Sequence, residues 1–176
     1  MPSTSRPLGL LDSFEVNAED LRRLRFLDQY DLSEVMDQYV AWCRKVEPRP
    51  SSAKGRPSLS RLELELKRFF ALPVLFRRRR FNFVPGLPID LLWHVFILNT
   101  KLYSRFCNRV YGQYLEHVPG KSRPEASPTA RTAPLNYTLT CIRRAFGEYE
   151  PSLWECAADC IPCDHGSVWF KGHFRG

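Results

Sequence analysis

Pro88-Ile-Asp-Leu-Leu-Trp-His-Val-Phe-Ile-Leu-Asn-Thr-Lys-Leu-Tyr-Ser-Arg-Phe-Cys107 is the stretch whose reading decides the fold. Pro88 suits the first turn of a helix, where a missing N–H is no loss, and Asp90 places negative charge near the positive end of the helix dipole. Asn99 and Thr100 interrupt the apolar run, and Thr100 can cap a second helix. Tyr103, Phe106, Cys107, Val110 and Tyr111 recur at i, i+3, i+4, i+7 and i+8, one apolar helical stripe, and Gly112 is a fitting C-terminal stop. The expected unit is two short helices around a polar corner.

Within that unit Asp90, His94 and Ile97 share one stripe, and Trp93 joins Ile89 and Phe96 on the adjoining face. A carboxylate and an imidazole four residues apart meet on a helix surface. They can orient a ring, share a metal, or satisfy each other beside an apolar wall. Since most neighbours are large and apolar, a hydrogen-bonded histidine at the edge of the core is the simplest reading of His94.

The pattern Ile89-Asp90-x2-Trp93-His94-x3-Leu98-x4-Tyr103-x2-Phe106-Cys107 resembles the glycine-rich domain-containing protein-like family. The following Tyr111-Gly112-Gln113-Tyr114-Leu115-Glu116-His117-Val118-Pro119 resembles its small bacterial branch. The resemblance spans residues 60–119 and implies a fold, not a reaction. Many members have a second histidine two places after the first; here that place is Phe96, so a role needing both is not implied.

Outward from this centre, helices are expected on both sides. Asn17 can cap a helix that buries Leu21, Leu24, Phe26 and Leu27. Asp31 or Ser33 opens another, with Leu32, Val35, Met36, Tyr39, Val40, Cys43 and Val46 at helical spacing and Pro48 as its end. Ser58 or Ser60 starts a third with Leu62, Leu66, Phe69 and Phe70 inward, terminated by Pro73. A further helix from Leu135 to Phe146 ends at Gly147. At 176 residues the chain suits one domain, in which roughly 70% of the unfolded surface can be buried. The expectation is an all-α, single-domain bundle of about five or six helices. It has a flexible arm at 1–13, a helical domain at 14–118, a linker at 119–134, and a helix with an irregular Cys-rich tail at 135–176.

Three places bear on function. Arg77, Arg78, Arg79 and Arg80 stand between Phe76 and Phe81, a pattern that can grip phosphates and stack on bases, or merely form a solvated basic loop. The formal charge of +7 favours acidic partners generally without naming one. In the tail, Cys160-x2-Cys163 with Cys156 and His165 offers four zinc ligands, a set that would be structural. Six cysteines without a secretory leader point to a reducing, cytoplasmic compartment, where such spacing favours metal over disulfides.

No apolar run approaches the roughly 20 residues of a membrane span. No Gly-rich phosphate loop, serine elbow or His-Glu-x2-His pattern is present. The favoured function is therefore a small cytosolic interaction or adaptor protein. It would bind a partner protein through Asp90, Trp93, His94, Tyr114 and His117, with zinc as a stabilising cofactor of the tail. The alternatives are a nucleic-acid binder using Arg77–Arg80, and a metal-dependent or thiol enzyme centred on His94.

Overall fold

The computed structural model of the chain describes residues 6–46, 58–77, 82–117 and 128–154. They form seven α-helices and a short 3-10 turn at Pro7–Gly9, with no strand among the described residues. The helices are α1 (Ala18–Gln29), α2 (Ser33–Val46), α3 (Leu59–Leu75), α4 (Leu87–Leu98), α5 (Thr100–Tyr111), α6 (Pro128–Phe146) and the single turn α7 (Pro151–Trp154). The all-α class agrees with the periodicity, and α7 accounts for the helix beyond the five or six expected. Among the described residues no helix is long and apolar enough to cross a membrane.

Several starts and stops follow local chemistry. The Asn17 side chain accepts from the Asp20 amide and caps α1, and Ser58 accepts from Arg61 N to cap α3. Gly112 ends α5 at φ 74°, in the left-handed region that glycine enters without steric cost. Thr100, however, is the first helical residue rather than the cap of α5. Asn99 holds the cap position, and its amide turns away to Val95 O and the Gln38 side chain. Nor does Pro73 end α3, which runs to Leu75. The proline ring costs one helical hydrogen bond, and the apolar burial of Ala71, Leu72 and Val74 outweighs it. Likewise α6 begins at Pro128, with Pro134 inside, seven residues before the expected Leu135.

The core is aromatic and centres on α3, α4 and α5. The ring of Phe70 lies 5.1 Å from Phe106, 5.8 Å from Trp93 and 6.1 Å from Phe96. Because α4 is apolar almost all round, it is enclosed: α2, α3, α5 and α7 all pack on it. Gly86, its N-cap, meets the backbone of Leu153 and Trp154 so closely that an added Cβ would lie 1.9 Å from Leu153 O.

The segment expected to be a free arm is anchored in its second half. Leu8 and Leu10 are buried. Arg68, from α3, donates from Nε to Leu8 O at 3.0 Å and from Nη1 to Glu148 O at 2.9 Å. Beside it, the fully buried Glu65 accepts from Trp154 Nε1 at 3.1 Å and from Glu150 N at 3.2 Å, and pairs with Arg61 and Arg68. This hub fastens both flanking segments to α3.

Candidate functional site

Asp90 occupies the first turn of α4, and its amide donates to Gly86 O at 3.0 Å. One turn on, His94 brings Nδ1 to 2.7 Å from the Asp90 carbonyl oxygen and 3.4 Å from Asp90 Oδ2. A carbonyl only accepts, so Nδ1 carries the proton in that contact. The third member arrives from outside the helix. His117 Nε2 lies 2.9 Å from Asp90 Oδ1, and the two imidazole centres are 4.3 Å apart. Two histidines thus converge on one carboxylate.

What delivers His117 is the strap 113–117, which leaves the Gly112 cap and folds back along α4 and α5. The indole N–H of Trp93 donates to Tyr103 Oη at 3.0 Å, and Tyr103 donates in turn to Leu115 O at 2.7 Å. These contacts fix the strap two residues before His117, whose ring stands edge-on to Trp93 at 4.5 Å.

Burial pushes the His94 pKa below its ordinary 6.5; the Asp90 carboxylate opposes this and His117 adds to it. The shift favours the neutral ring at pH 7. Burial also raises the Cys107 thiol, which disfavours its thiolate form.

The five residues expected to bind a partner do come together, but not on one exposed face. Asp90 and Trp93 are buried, and the Trp93 ring packs on Phe69 and Phe70. His94 and His117 are half-buried, and Tyr114 is 47% exposed, the member most open to contact. Beside Tyr114 lies a cleft of about 280 Å³ lined by Arg23, Pro73, Val74, Arg77, Tyr111, Gln113, Tyr114 and Leu115.

Arg77 is exposed and donates to Asp20 Oδ1 at 2.6 Å, while Arg23 pairs with Glu19. Of the four expected phosphate-gripping arginines, Arg78, Arg79 and Arg80 lie outside the described residues, as do Cys156, Cys160, Cys163 and His165. Arg23 had no motif to mark it; only its place on α1 opposite the end of α3 brings it to the cleft. The Asp90–His117 contact spans 27 residues and likewise has no local signal.

A family model described as UCP032817-like matches residues 22–152. No curated protein and no solved structure matches the chain. The family match corrects the resemblance to the glycine-rich domain-containing protein-like family, which rested on the Trp93-His94 motif. That motif is mostly a record of two apolar helices packing around a corner, a pattern that unrelated helical proteins meet by the same physics.

Proposed function

The chain belongs to the UCP032817-like family, and on that footing we propose that it is a small cytoplasmic binding module that docks an acidic segment of a partner protein. The observation that carries this reading is the cleft beside Tyr114. One wall offers the guanidiniums of Arg23 and Arg77, each steadied by an α1 carboxylate that engages one edge of a multi-donor group. The other wall offers Tyr111, Tyr114 and Leu115, the apolar and aromatic surface that anchors interfaces. The chain's charge of +7 speeds encounter with an acidic partner. The strap that bears Tyr114 also carries His117.

The test is fluorescence anisotropy with a short labelled peptide of alternating glutamate and leucine, its lysine counterpart, and a single-stranded oligonucleotide. The acidic peptide is expected to bind in preference to the other two. Tyr114→Ala and Arg23→Gln should each weaken it by about tenfold, the worth of a modest interface anchor. Equal binding of the lysine peptide would sink the reading. Tighter, salt-sensitive binding of the oligonucleotide would replace it with the nucleic-acid alternative.

A further inference from the structure

We propose that Asp90, His94 and His117 form a binding site for a divalent first-row transition-metal ion, with zinc the first candidate, distinct from the docking cleft. Each side chain offers one ligand atom, and the three atoms lie within 4.8 Å of one another. Ligands held about 2.1 Å from a tetrahedral ion stand about 3.4 Å apart. His94 Nδ1 stands 3.4 Å from Asp90 Oδ2, at that spacing, and His117 Nε2 stands 2.9 Å from Asp90 Oδ1, so each ring faces one oxygen of the same carboxylate. Only small movements of the rings are needed to close around an ion.

Charge argues the same way. Asp90 is 8% exposed, and among the described residues its ion-pair partners are the two imidazoles alone. Glu65, by contrast, has two guanidiniums on it. A carboxylate this buried, with no Lys or Arg paired to it among the described residues, is a favourable place for a cation.

The donor set selects the class of ion. Two imidazoles and one carboxylate suit zinc, iron, nickel or copper, whereas magnesium and calcium prefer oxygen alone. Loading is a displacement: the metal takes the place of the protons on His94 Nδ1 and His117 Nε2, and each ring then carries its proton on the other nitrogen, exchanged through solvent. Three protein ligands leave a coordination position for water or another small donor. The scaffold is suitably stiff, since Asp90 and His94 ride on one enclosed helix and the strap is pinned at Leu115. The competing reading is a hydrogen-bonded cluster with no affinity for ions.

The deciding experiment uses the tag-free full chain bearing Cys156→Ser, Cys160→Ser and Cys163→Ser, so that thiolates of the tail cannot answer for the site. Cobalt(II) is titrated in as a spectroscopic probe and then displaced by zinc(II). The expected result is one cobalt per chain, with visible ligand-field bands and no near-ultraviolet thiolate absorption. His117→Gln lies outside every helix, so the fold survives it, as circular dichroism will show. That variant and Asp90→Asn should each weaken binding more than about tenfold, since even outer-shell changes cost that much. No saturable cobalt binding, or binding unchanged in His117→Gln, overturns the proposal.

Discussion

Two polar clusters sit on neighbouring helices of this core and solve opposite problems. Around Glu65 and Arg68, the ion pair is met largely by protein: a tryptophan N–H, a backbone amide, two carbonyls and a second arginine, whose Nε alone is buried without a partner there. Around Asp90, one carboxylate serves two histidines, and all three remain within reach of solvent. A saturated buried network specifies structure, while a partly open one has capacity left for a ligand. The difference suggests that removing a member of the first costs stability, and removing a member of the second costs binding.

The largest expected effect tests the first half of that contrast. Glu65→Ala strands Arg68 in the core and should cost about 3–5 kcal/mol in urea unfolding; a loss below about 1 kcal/mol would mean the hub is not a structural anchor. Next comes Tyr103→Phe, which leaves the buried Trp93 N–H and the Leu115 carbonyl without their partner. It should cost about 1–3 kcal/mol and speed hydrogen exchange in the strap. If exchange there is unchanged, the strap is held by something else.

Asp90→Asn, in contrast, should change stability by less than about 1 kcal/mol, because an amide keeps acceptor capacity in a half-open setting. A drop as large as that of Glu65→Ala would erase the distinction between the clusters. The smallest effect is a pH dependence measured with chelator present. The unfolded chain takes up a proton on His94 near 6.5, which the folded protein declines until lower pH. Stability from this group is thus full above 6.5 and fades as pH falls below it. His94→Gln should flatten that part of the profile.

Much of the helical frame was legible because it rests on local chemistry. Asn17, Ser58 and Gly112 announce helix ends by side-chain capping or by the left-handed residue, and Leu62, Leu66, Phe69 and Phe70 declare an inward face by their spacing. What escaped was settled by tertiary packing. Leu8 and Leu10 have no periodic neighbours, yet Arg68 reaches across sixty positions to fasten Leu8. Trp154 sits where a tail was expected and is wholly buried. Of the site, the Asp90–His94 pair was legible from its four-residue spacing, whereas His117 was named as a partner-binding residue and not as a partner of Asp90. Its pairing depends on a strap held at Leu115 by Tyr103, a residue that reads as plain core.

The hub at Glu65 also has a consequence for how the protein is made. A carboxylate in the middle of α3 acquires its partners Glu150 and Trp154 more than eighty positions later in the chain. During synthesis, when earlier segments emerge first, α1 to α5 can collapse around the aromatic core while Glu65 still needs water. The nascent core must therefore stay slightly ajar on that side until Trp154 slots in beside Phe69 and shuts it. The final locking of the core thus waits on the segment that carries Glu150 and Trp154.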